Sequence, residues 1–298
     1  MSGLIATCNS ADDCISIICP YKNKEIHRIN MNACEHGERL GPRRMAVSGK
    51  YLFCVNAYDS SVSVIDLETF KEVKALSVGA YPVALCACGQ YVNICCGESD
   101  SIWTVDAGDL SVIQCVPCGK FPCTIAANSA GTLCAVGNML TSDVWIMSLP
   151  ELEPDFKFKL HGMPMFAAFD DHNGRILVTH TADYSYTSGG VSVYSSEDYS
   201  YVKSVSMGCM PGTLRISEDG MAYLVNSGGP WIYVLDCESC DIINRISVTG
   251  MIDDILVVDG RVYVSCLMDS KLMVFDKEGE KITDIEVGNE PRGIIYIE

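Results

Sequence analysis

The sequence predicts an all-β fold: a seven-bladed β-propeller, its ring closed by the C-terminal strand joining the N-terminal blade, with residues 1–298 as one domain. Three observations predict it. One motif recurs seven times at ~40-residue spacing, the range of four-stranded blades. Each copy holds short β-branched or aromatic runs separated by turn signals. No stretch carries a sustained helical period.

The motif is clearest at Tyr51-Leu52-Phe53-Cys54-Val55-Asn56, then Val62-Ser63-Val64-Ile65-Asp66, then Leu76-Ser77-Val78-Gly79 and Pro82. It returns as Met221-Ala222-Tyr223-Leu224-Val225-Asn226 with Ile232-Tyr233-Val234-Leu235-Asp236. It returns again as Arg261-Val262-Tyr263-Val264-Ser265-Cys266, with Leu272-Met273-Val274-Phe275-Asp276, Val287-Gly288 and Pro291. Ten residues before the Asp66 position stand Asn9, Asn56, Cys96, Asn138, Asn226 and Cys266. The remaining copy carries a five-residue insertion and has His180 there.

Each unit reads as strand B (51–55), strand C (62–65), strand D (73–78) and then strand A of the next blade (83–87). The chain therefore begins with a strand B (4–8) and ends with a strand A (293–297). Residues 292–298 are expected to complete the blade begun at the N-terminus, leaving no open edge. The Asn ending strand B is expected to turn its amide onto the B–C loop backbone. The Asp ending strand C (Asp66, Asp106, Asp236, Asp276) is expected to form an Asx-type turn.

The run Leu-Phe-Cys-Val-Asn, Val-Ser-Val-Ile-Asp, Leu-Ser-Val-Gly and Pro resembles the YVTN family of β-propeller repeats, over essentially the whole chain. The resemblance implies the fold. It leaves function open, because such repeats serve binding, surface and a few enzymatic roles.

Composition narrows the partners. The net charge of -17 repels phosphate backbones and anionic lipid, so nucleic acid and membrane are not expected partners. No basic leader and no apolar run of ~18 residues is seen, so the cytoplasm is the expected location. Seventeen cysteines, an odd number, are expected to be thiols in a reducing compartment. Register places Cys54, Cys134, Cys86 and Cys118 at inward strand positions, where a thiol acts as a small hydrophobe. The pairs Cys115/Cys118 and Cys237/Cys240 fall three blades apart, so they are not expected to share a metal. Cys34-Glu35-His36 is the next metal candidate, and no metal or cofactor is expected overall.

Innermost strands line a propeller's channel, so the residues after each Pro should meet at its mouth. Those positions hold Arg43, Asp253 and Arg292, and the next hold Arg44 and Asp254. Ring closure makes their strands neighbours, facing an apolar arc of Val83, Met165 and Phe166. Arginine forks suit carboxylate, phosphate or acidic side chains. The inserted B–C loop adds Tyr184 and Tyr186 at the same end. The expected site is therefore Arg43, Arg44, Asp253, Asp254, Arg292, Phe166, Tyr184 and Tyr186.

The expected function is a non-catalytic binding or scaffolding propeller that recognises a small anionic ligand or a protein partner. One alternative is a lactonase- or lyase-like enzyme acting on a small anion; another is a cysteine-based metal or redox role. No nucleophile elbow, His-Glu-x-x-His or phosphate loop occurs. None of the histidines falls at the channel mouth positions.

Overall fold

The computed structural model describes residues 3–31, 39–182 and 185–298. Tyr184 and the Cys34-Glu35-His36 stretch lie outside the described residues. Strands are numbered in chain order. Blade 1 runs from its inner strand outward as β28 (Pro291–Ile297), β1 (Leu4–Asn9), β2 (Cys14–Cys19) and β3 (Lys24–Asn30). Blade 2 is β4 (Pro42–Ser48), β5 (Tyr51–Asn56), β6 (Ser61–Asp66) and β7 (Lys71–Ser77). Five further antiparallel sheets of four strands complete the ring. Their inner strands are β8 (Pro82–Cys88), β12 (Pro122–Ala127), β16 (Met163–Asp170), β20 (Pro211–Ile216) and β24 (Ile252–Val258). Each inner strand touches the next, and β28 touches both β24 and β4. The expected closure is observed: Ile5 pairs with Tyr296, and Thr7 with Ile294.

The core explains why the strands read as near-continuous apolar runs. It lies in seven clusters, one between each pair of neighbouring blades. Ile17 faces blade 2, packed with Leu52 and Cys54. The adjacent Ile18 faces blade 7, packed with Tyr263 and Leu272. Alternate side chains thus enter opposite layers, and both faces of the middle strands are dry. Full burial of such a side chain is worth about 1.5–3 kcal/mol. The outermost strands meet solvent instead, as in the largely exposed β7.

The repeat residues hold the turns. Asp66 Oδ1 accepts from the Glu68 and Thr69 amides at 3.1 and 2.9 Å, and Asp236 accepts from Ser239 N at 2.8 Å, as expected. The asparagines act differently from expectation. Asn56 Nδ2 donates to Ser61 Oγ and Ser63 Oγ at 2.9 and 2.8 Å. Asn9 reaches Ser16 Oγ at 2.8 Å, and Asn138 reaches Asp143 Oδ1 at 3.0 Å. Only Asn226 donates to backbone, the Met207 carbonyl at 2.7 Å. The amide thus clamps strand B to strand C side chains rather than to the loop, because partners such as Ser61 and Ser63 are buried beside it. His180 replaces it faithfully, its Nε2 lying 2.9 Å from Ser192 Oγ.

The repeat's Gly belongs to the same clamp. A Cβ on Gly119 would lie 2.5 Å from the Asn138 side chain, and one on Gly288 would lie 2.6 Å from that of Asn9.

Candidate functional site: the arginine-lined channel mouth

A backbone irregularity builds the mouth. In all seven inner strands the pairing slips just after the Pro position, so two residues oppose one. Arg43 and Arg44 together face Val55; Asp253 and Asp254 face Ser265; Arg292 and Gly293 face Cys8. Such bulges re-aim side chains at barrel rims and sites. Here consecutive residues, which a regular strand would send to opposite faces, can both reach the channel.

A cavity of about 600 Å³ opens at this end, lined by Arg43, Arg44, Phe166, Tyr186, Asp253 and Arg292, among others. A second cavity of about 380 Å³ continues along the channel and shares Arg44 and Phe166. Six expected residues are therefore brought together. Tyr186 comes from the inserted loop, which is pinned where Met210 N donates to Tyr186 O at 3.1 Å. Tyr184 lies outside the described residues.

Asp254 is not at the mouth. It is 0% exposed and sits in the wall beneath. Its carboxylate accepts the Ile255 and Ile294 amides at 2.8 and 3.0 Å and pairs with Arg215 at 3.1 Å. It ties blades 6, 7 and 1 together.

Asp253 is the electrostatic hub. Its Oδ2 lies 2.5 Å from Arg44 Nη1, and its Oδ1 lies 3.3 Å from Arg292 Nη1. Arg44 also donates to the Arg43 carbonyl at 3.1 Å and to Thr213 Oγ1 at 3.3 Å. Burial would raise the Asp253 pKa, but Arg44, Arg43 and Arg292 outweigh it and hold the carboxyl below the usual range. Burial likewise opposes charge on Arg44, and Asp253 with Asp254 reverses that, leaving its pKa above the ordinary value.

Arg43 differs. Among the described residues it forms no ion pair. Its Nη1 donates to Tyr81 Oη at 3.3 Å, and its guanidinium lies 6.0 Å from the Tyr81 ring centroid. Burial lowers its pKa, with Asp253 only partly compensating. It remains a cation, as arginine does throughout the working pH range.

Several lining residues escaped the sequence reading. Arg215 lies deeper, its guanidinium 5.0 Å from the Phe166 ring centroid. It is the one charged residue at an offset otherwise filled by Ala46, Cys86, Ala126, Ala168, Leu256 and Ile295, a signal the alignment already contained. Tyr81, Phe121, Met210 and Glu290 also line the cavity. Each precedes the Pro, with φ of 55°, 53°, 52° and 52°. Non-glycine residues seldom take this left-handed conformation. Its repetition shows that the turn imposes it, placing these side chains on the rim.

The cysteines stand apart from this site, except for the half-buried Cys123 on its wall. Cys54 and Cys134 are buried, whereas Cys86 and Cys118 are half-buried and pack on the core between blades 3 and 4. Cys237 and Cys240 are buried in the core between blades 5 and 6. Arg175 donates to the Cys237 carbonyl and, at 2.7 Å, to Cys240 Sγ. Among the described residues no group of three His, Cys, Asp or Glu side chains is arranged to hold a metal.

Seven four-stranded sheets around an arginine-lined channel define a seven-bladed β-propeller. Solved structures agree on the fold. A functionally unknown protein from Desulfotomaculum acetoxidans is 12% identical, covering 100% of this chain and 99% of its own, at a TM-score of 0.85. Kuenenia stuttgartiensis hydrazine synthase is 14% identical, covering 88% and 92%, at a TM-score of 0.76. Apo AztD from Citrobacter koseri is 12% identical, covering 99% and 97%, at a TM-score of 0.74. No family model matches the chain. No curated protein matches it. At these identities the likeness is one of fold. Among the described residues, no helix is long and apolar enough to cross a membrane.

Proposed function

We propose that this propeller is a binding protein whose ligand site is the channel mouth, and that the group it recognises is an anion. One observation carries the reading. In a chain of net charge -17, three arginines gather at the mouth; Arg44 and Arg292 share the carboxylate of Asp253, and Arg43, among the described residues, is left without an ion pair. An arginine held partly out of water gains most from a planar anion that accepts two N–H bonds at once. The ligand is a small anion or an acidic group of a protein partner.

Asp253 favours binding over the lactonase- or lyase-like alternative. A general base works best with its pKa near the working pH. Three arginines push this carboxylate the other way. We place the chain in the YVTN repeat family on its repeat residues, and in the reducing cytoplasm on its free thiols.

Calorimetry of the full chain with a panel of carboxylates and phosphates tests the binding reading, beside Arg43→Ala and Arg292→Ala. Saturable binding weakened by both substitutions supports it. Anion-dependent turnover abolished by Arg292→Ala would establish the enzyme instead.

A further inference from the structure

We infer that the ligand is an amphiphilic monoanion: one carboxylate on an apolar aliphatic or aromatic body, its head on Arg43. This deepens the anion-binding reading and rests on it. The first argument is charge. The mouth carries Arg43, Arg44 and Arg292 against Asp253 and Glu290. That leaves one positive charge in excess, and Asp253 already engages Arg44 and Arg292. A monocarboxylate neutralises the remainder; a polyanion would carry unpaired negative charge against Asp253 and Glu290.

The second argument is the apolar lining, which runs from blades 4 and 5, across the channel from the charged blades, round to Met251 and Met268 on the blade of Asp253. Five of the chain's 13 methionines line the mouth: Met139, Met165, Met210, Met251 and Met268. Phe166 joins them, and Met251 and Met268 are 41% and 76% exposed. Unbranched thioethers fill irregular gaps and adapt to apolar ligands. Leaving them open to water has a cost that an apolar body would remove. A bare phosphate or acetate has no apolar body with which to cover these side chains.

The third argument is room. The cavity of about 600 Å³ suits a whole small molecule rather than a lone ion. Below it the channel continues as a cavity of about 380 Å³, where Ile125, Leu256 and Ile294 offer apolar surface to a tail alongside Arg44 and Arg215, which Asp253 and Asp254 already engage.

The test is calorimetry of the full chain with 2-naphthoate and decanoate against acetate, inorganic phosphate, citrate and the matched neutral amides. At least one of the two amphiphiles should bind about tenfold or more tightly than acetate, phosphate, citrate and its own amide. Arg43→Ala should remove the preference for acid over amide, and Met165→Gln the preference for amphiphile over acetate. Unchanged melting temperatures would show that both variants fold. If phosphate, citrate or acetate binds as well as the amphiphiles, this inference falls while the anion reading stands. If acid and amide bind alike, the anion reading falls with it. Binding of none of the probes overturns the inference, and the panel above then decides the broader reading.

Discussion

Arg44 of blade 2 and Asp253 of blade 7 are separated by 209 residues in the chain, yet their side chains meet at 2.5 Å. Ring closure makes the meeting possible. Blade 1 lies between them and contributes Arg292 to the same carboxylate. Stability and site are therefore coupled across three blades, and the first prediction tests that coupling.

Asp253→Ala should destabilise the fold by roughly 3–5 kcal/mol, because it leaves two sequestered guanidinium groups facing each other without a carboxylate. Denaturant unfolding measures it; a loss under about 1 kcal/mol would mean solvent already satisfies the arginines. The same carboxyl sets a pH dependence. Its folded pKa lies below its unfolded value. Its stabilisation is therefore complete above the unfolded value and is lost as pH falls through the folded one. Asp253→Asn should flatten that acid limb of a stability-against-pH curve.

Removing residues 292–298 should abolish the cooperative melt and promote association. The deletion strips β28 from blade 1, exposes the β1 edge and removes the Ile294 amide from Asp254. Circular dichroism and size-exclusion chromatography report both effects. A monomer melting like the full chain would refute closure by this strand.

Asn56→Ala should cost about 1–3 kcal/mol, since two buried hydroxyls lose their donor. Gly119→Ala should be destabilising for a different reason, the clash with Asn138. Equal stability of Asn56→Ala and the native chain would show that the clamp is ornamental.

Thiol titration should separate packing from chemistry. Among the described cysteines Cys115 is the exposed one and should react first. Burial pushes Cys86, Cys96, Cys118, Cys123 and Cys237 up to about 12, so they remain protonated at pH 8. They should react only on unfolding. Rapid native reaction of the Cys237/Cys240 pair would instead support a redox role.

The blades and their closure were legible in the sequence because every repeat solves the same packing problem with the same residues. The phase of strands A to D followed from chain order alone. Arg43, Arg44, Asp253 and Arg292 were also found, since ring closure converts distant offsets into neighbours. The destination of Asp254 was not legible. A bulge offers two residues to the channel, but the Ile294 amide and Arg215 draw this carboxylate into the wall. The asparagine clamp was misread because its side-chain acceptors lie five or seven residues on, across a hairpin, where local turn rules do not look. The methionine lining was missed because Met139 and Met268 lie in the loops after strand B, while Met210 and Met251 precede the Pro position rather than follow it.

The central claim is that Arg43 is an anion receptor at the channel mouth. A crystal structure of the full chain with 2-naphthoate tests it most directly. The account predicts the carboxylate within hydrogen-bond distance of the Arg43 guanidinium, with the rings against Phe166 and Met165. Ligand density outside the mouth, or in the mouth with Arg43 still turned only to Tyr81, would contradict it.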